Sequence, residues 1–202
     1  EFDHGSYAIR ISSVKNLRFL EQWYRMGKSK NISEFKEAMK IHAISMFNTG
    51  YADRDGKLYY VYNAKIPKRD PRYNWKKILP GESKQTLWYE YISFDKLPQV
   101  YDPLEGFYQN CNSSPYLATG SRVDASKPLP EWTGIEKHQT NRALRSLETF
   151  GVDPAITREE FFEYKFDVEY SRESILAGVR DRYVSEMDKK GIPEELVSAI
   201  DL

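Results

Sequence analysis

The chain has 202 residues, enough for one domain with a real core, but its hydrophobic share is 40% even with 15 tyrosines counted, below the roughly 45–50% of an ordinary domain. Its 30 basic and 30 acidic residues cancel, which removes any global attraction to nucleic acid or to an anionic membrane. A single cysteine, Cys111, excludes an intrachain disulfide and any multi-cysteine metal site; no apolar run reaches the length of a membrane span, and no signal peptide or initiator methionine opens the sequence. Residues 6–12, SYAIRIS, alternate so that Tyr7, Ile9 and Ile11 share a face, as in a half-buried strand. Ser13 can then cap a helix over Val14–Met26, in which Leu17, Leu20 and Tyr24 follow helical spacing, Phe19 and Trp23 widen the stripe, and Gly27 is a stop signal. A second helix is expected from Ser33, with Phe35, Met39, His42 and Met46 at helical intervals, which places His42 at a core margin rather than on a metal.

Tyr51–Lys65 reads as a hairpin, with Asp55-Gly56 at the tight turn and Leu58, Tyr60 and Tyr62 alternating after it. The DRDG run is not an EF-hand, because the third acidic position and the closing glutamate are missing. From Lys65 to Gln85 the prolines at 67, 71 and 80, Gly81 and many basic residues describe an irregular surface connection. Its basic residues with Tyr73 and Trp75 have the composition of a single-stranded nucleic-acid contact; the zero net charge favours a solvated loop.

Tyr101–Tyr116, YDPLEGFYQNCNSSPY, can be read in two ways. As a strand after Gly106, it alternates Phe107, Gln109 and Cys111 with Tyr108, Asn110 and Asn112, so that two asparagines share one face near its end and aim primary amides at something that needs hydrogen bonds. As a turn, it uses the ordinary turn residues Asn, Ser and Pro. The segment to about Gln139 is long for a connection inside a domain. Four helices are then expected: Asn141–Phe150; one capped by Thr157 with Glu160 in the capping-box position; Arg172–Lys189, carrying Ile175, Val179, Tyr183 and Met187; and a short one over Pro193–Ile200. There is no G-x-S-x-G elbow, H-E-x-x-H, phosphate-binding glycine loop or cysteine–histidine cluster, and His4, His42 and His138 are scattered.

Three stretches in order, YADRDGKLYYVYNAKIPKRD, LPGESKQTLWYEYISFDKLPQV and LPQVYDPLEGFYQNCNSSP, resemble the penicillin amidase family of N-terminal nucleophile hydrolases, with wording closest to the acyl-homoserine-lactone and aculeacin acylase branch. The resemblance implies an α/β (α+β) fold that is part of an α-β-β-α sandwich, with antiparallel strands and flanking helices. Residues 1–202 would be one domain, with irregular segments at 66–86 and 116–139. It implies an amidohydrolase acting on an acylated substrate such as an acyl lactone, acyl peptide or β-lactam, in a periplasmic or secreted setting. Asn112, the second asparagine of N-x-N, matches the oxyanion-hole position, Asn110 is the fallback, and Arg142 matches an arginine near the active-site asparagine; a solvated helix-surface arginine is the other reading.

The family's nucleophile is the N-terminal Ser of a self-cleaved chain, with its own α-amine as base. Glu1 is not that residue, so the chain reads as an internal fragment of the catalytic subunit, inactive alone and partnered by the rest of the acylase. No cofactor is expected for the chemistry. A structural calcium is implied in the full-length protein, with Pro67 and Asp124 the nearest matches for two of its ligands. From a different class, the aromatic content of 14% also suits a noncatalytic carbohydrate- or protein-binding module.

Overall fold

A computed structural model describes residues 5–119 and 128–188. They form two compact units. The first takes in the N-terminal half through Asn110 together with Ser114–Lys137, and the second consists of Cys111–Ser113 with the chain from His138 onward.

The first unit is built on an antiparallel sheet of order β1-β2-β3, with β1 at Phe47–Ala52, β2 at Leu58–Asn63 and β3 at Gln99–Tyr101. The β1–β2 hairpin is the one expected: Ala52 pairs with Leu58, and Gly56 adopts φ 77° at the turn, where the missing Cβ removes the steric penalty. Asp53 stabilises the turn by accepting from the backbone N–H groups of Asp55 and Lys57. Burial exceeds the one-sided alternation read from the sequence. Tyr59 and Val61 meet Phe35, Met39, Ile66, Ile92, Phe94 and Leu97, while Tyr60 packs with Val100, Ala118 and Tyr108. Successive side chains of β2 thus enter two small cores on opposite faces, as a central strand requires.

Helix α1 spans Phe19–Lys28 and α2 spans Ile32–Met39. Asn31, rather than Ser33, starts α2, its side-chain oxygen accepting from Glu34 N–H at 3.0 Å, the standard way to satisfy an orphan helix donor. Gln22 on α1 is fully buried and accepts from Ala43 and Ile44 N–H at 2.7 and 2.9 Å. Three expectations fail here. Residues 6–11 carry no strand, and Tyr7, Ile9 and Ile11 are exposed. Ser13 is left-handed at φ 67° and does not cap α1. Helix α2 stops at Met39, because His42 and Met46 take positive φ of 50° and 71°, conformations no helix can continue through. His42 still lies at a core margin: it is buried, edge-on to Phe94, with Nε2 3.1 Å from the Ala64 carbonyl.

The second unit contains α3 (Asn141–Glu148), α4 (Arg158–Phe166) and α5 (Ile175–Asp188). Thr157 and Glu160 make the reciprocal capping box at the start of α4, as the T-x-x-E spacing predicts. Polar ties hold the unit. Arg145 binds Asp167 through Nε and Nη2 at 2.8 and 2.6 Å, and the N–H of buried Ser171 donates to Asn141 Oδ1 while its hydroxyl donates to Glu148. The expected helix over Pro193–Ile200 lies outside the described residues.

Candidate active site

The segment expected to carry the site is not a strand. Sheet pairing stops at Tyr101, and residues 107–110 are irregular before a bend at Cys111 and Asn112. The backbone reason is a series of positive φ angles: Asp102 at 43°, Gly106 at 71° and Asn112 at 56°, which break any two-residue alternation. Asn is among the few residues that tolerate this left-handed region. Gln109 anchors the segment instead, its N–H donating to Ala118 O at 2.7 Å and its side chain to Leu117 O at 2.9 Å. The turn reading therefore describes the backbone, and the two asparagines do not share a strand face.

Each asparagine is held by its own unit. In the second, Thr140 caps α3 by accepting from Ala143 N–H, and its hydroxyl donates to Cys111 O at 3.4 Å. Arg142, in the first turn of α3, donates from Nη2 to Cys111 O at 3.1 Å and to Asn112 Oδ1 at 3.0 Å. Sequence Arg142 and Asn112 are thus brought together. An amide is planar, so fixing Oδ1 on the guanidinium turns the NH2 limb to the other side of the Asn112 side chain. Partial burial raises the Cys111 thiol pKa, with Arg142 opposing; that favours the thiol over the nucleophilic thiolate.

In the first unit, Asn110 Nδ2 donates to the Tyr60 hydroxyl at 3.1 Å, which donates in turn to Asn48 Oδ1 at 2.9 Å. Burial raises the Tyr60 pKa, the Asn110 bond working against it, so the hydroxyl stays neutral and can both accept and donate. Tyr108 lies 5.8 Å from the Tyr60 ring and rests on Gly50, where a Cβ would come within 2.3 Å of its hydroxyl. Asn48, Gly50, Tyr60 and Tyr108 were not singled out as site residues. No motif marks them; only the hairpin register and the return of the chain after Gly106 bring them to Asn110.

Pro67 forms an isolated antiparallel bridge with Tyr91, and Asp124 lies outside the described residues. Among the described residues, no three His, Cys, Asp or Glu side chains group as a metal site. No described helix is long and apolar enough to cross a membrane.

Comparison with known proteins agrees with this architecture. Penicillin G acylase of Escherichia coli is 31% identical over 101 residues, half of this chain and 12% of that protein. An acyl-homoserine lactone acylase, PvdQ, of Pseudomonas savastanoi pv. phaseolicola is 30% identical over 69 residues, 34% of this chain and 9% of its own length. A penicillin acylase 2 proenzyme of Pseudomonas sp. strain SE83 is 25% identical over 136 residues, 67% of this chain and 16% of its own length. This chain therefore spans a small part of each relative. A thermostable penicillin G acylase from Alcaligenes faecalis shares the fold, with a TM-score of 0.62 at 20% identity over 90% of this chain and 31% of its own. The sequence model of the penicillin amidase family matches residues 3–193, and the chain belongs to that family.

Proposed function

We propose that this chain contributes the side-chain oxyanion donor of an acylase that hydrolyses the amide bond of an acylated substrate, and that Asn112 is that donor. Arg142 is a positioning residue in this reading, and Asn110 supports the segment through Tyr60. The observation that carries the assignment is the Arg142–Asn112 hydrogen bond. It commits the carbonyl end of the amide to the guanidinium and so fixes the plane of the side chain and the direction of its donor end, the end an oxyanion needs. A donor fixed before the reaction stabilises the charge that develops in the tetrahedral transition state without reorganising.

The nucleophile of this reading is an N-terminal Ser released by self-cleavage, with its own α-amine as base, supplied by a part of the full-length acylase outside these 202 residues. The 202-residue chain alone then hydrolyses no acyl amide. The names of the relatives, penicillin G acylase and acyl-homoserine lactone acylase, support an acyl amide as the substrate class, and a periplasmic or secreted location goes with it. A structural calcium would take Pro67 and Asp124 among its six to eight oxygen ligands, the others coming from outside this chain, so calorimetry on the 202-residue chain should detect no micromolar calcium binding. The alternative of an aromatic binding platform finds little support at the basic loop, where Tyr73, Trp75 and Trp88 meet edge-on at 70° and 66° rather than lying flat.

The deciding experiment is Asn112→Ala in the full-length enzyme, with self-cleavage followed by gel. The expected loss is roughly 10²–10³-fold in kcat, about 3–4 kcal/mol, with a smaller change in KM. Asn110→Ala should cost less. Nearly full kcat in Asn112→Ala overturns the assignment.

A further inference from the structure

Arg69 is a half-buried guanidinium with no ion pair among the described residues. Its charged end lies 5.4 Å from the Trp75 ring centroid and 5.8 Å from that of Trp88, and its Nε is buried with no hydrogen-bond partner. Burial alone lowers its pKa, with no carboxylate pulling the other way. The adjacent carboxylate, Asp70, is committed to Arg72. Trp88 is itself 8% exposed, and its indole N–H is buried and unpaired. A second guanidinium, Arg10, lies 5.0 Å from the Trp88 centroid and donates to the Trp88 carbonyl at 2.6 Å, again with no ion pair among the described residues. Gly134 lies beside Arg69, where a Cβ would stand 3.7 Å from Nη1.

Two cations and an orphan indole N–H around one tryptophan are unusual in a chain whose acidic and basic residues balance, since buried polar groups ordinarily have partners. An indole ring near a guanidinium offers cation–π attraction but no hydrogen-bond acceptor for its N–H groups, which lie in its plane and form a fork matched to a planar oxyanion. We infer that Arg69, with Trp88 and Arg10, forms a carboxylate-binding site on the loop between β2 and β3. The carboxylate comes either from a small organic acid or from an Asp or Glu side chain of the full-length protein. This inference stands apart from the assignment of Asn112.

The test follows the indole N–H signals by NMR while the 202-residue chain is titrated with acetate, glutarate and inorganic phosphate. A saturable shift of the Trp88 signal with both carboxylates supports the site, and the same shift in the full-length protein supports the small-acid source. Arg69→Met should abolish it, and Arg69→Lys, which keeps the charge but loses the fork, should weaken it about tenfold. If a protein side chain is the natural occupant, acetate leaves the Trp88 signal of the full-length protein unchanged, and Arg69→Met lowers the Tm of the full-length protein by several degrees more than that of the 202-residue chain. No shift in the 202-residue chain together with equal Tm losses in both overturns the site. Phosphate binding as tightly as glutarate overturns the assignment to a carboxylate. Should Arg69→Met fail to fold, the wild-type titration still decides.

Discussion

On β2, Tyr59, Tyr60 and Val61 are at most 1% exposed, whereas on α5 Ile175, Val179 and Tyr183 are 79%, 60% and 59% exposed. Both runs are apolar with regular spacing. The strand has residues packed against each face, so its alternation becomes two-sided burial. Around α5 the buried residues are Ser171, Ser174 and Ala177, small side chains, of which the Ser174 hydroxyl caps the helix and the Ser171 hydroxyl binds Glu148. The second unit is accordingly held by the capping box of α4, the Arg145–Asp167 pair, the Ser171 bonds and the edge-on contacts of Phe150 with Phe161 and Tyr164, with the larger apolar side chains of α5 turned outward. An apolar stripe records which face can be buried; only a neighbouring element makes it core.

The sharpest break of this contrast is Tyr59→Ala. Emptying a fully buried aromatic site in β2 should cost about 3–5 kcal/mol, read as a lower denaturation midpoint by near-UV circular dichroism. A loss under about 1 kcal/mol would show that the sheet does not carry the first unit. Next comes Gly50→Ala, whose methyl group collides with the Tyr108 ring. Displacing Tyr108 should cost about 1–3 kcal/mol and weaken the Tyr60–Asn110 contact, seen as a shifted Asn110 side-chain amide signal in NMR.

Asp167 tests the polar side of the comparison. Hydrogen bonds from Arg145, then the backbone N–H of Glu169, hold its pKa below the usual aspartate value. Because the folded pKa is depressed, the stabilisation is complete above the ordinary value near pH 4 and is lost as pH falls through the lower folded value. Asp167→Asn should remove that acid-side loss and cost about 1–3 kcal/mol at neutral pH, measured by helical ellipticity against urea at both pH values. A pH profile identical to wild type would exclude the pair as a stabiliser.

Smaller still is Thr157→Ala, which removes one half of the capping box of α4 and should cost about 1 kcal/mol, visible as faster amide exchange in its first turn. The smallest effect is expected at Val179→Ser on exposed α5, within about 0.5 kcal/mol of wild type. A loss several times larger in the 202-residue chain would mean that this face is covered in solution.

Local chemistry was legible. Asp55-Gly56 between alternating aromatics needs a residue that accepts positive φ, and Thr157 with Glu160 satisfies two orphan N–H groups within four residues, so both elements appear where the sequence places them. The mixed α+β class and the family followed from longer stretches. Asn112 and Arg142 could be named from the sequence, but not the bond between them, because 30 residues separate the guanidinium from the amide it holds.

The strand expected over residues 6–12 does not form, because alternation by itself supplies no neighbouring strand, and of the two readings of the asparagine segment the turn holds, because alternation of residue types says nothing about the positive φ angles that interrupt it. Sequence by itself determined the hairpin turn, the helix starts at Asn141 and Thr157 and the pair of primary amides, all set by interactions within a few residues. Tertiary structure decided which apolar faces are buried, that Asn110 binds Tyr60 while Asn112 binds Arg142, and that Arg69 lies beside the edge-on pair Trp75 and Trp88. Those outcomes depend on contacts between residues far apart in the chain, which local propensity does not encode.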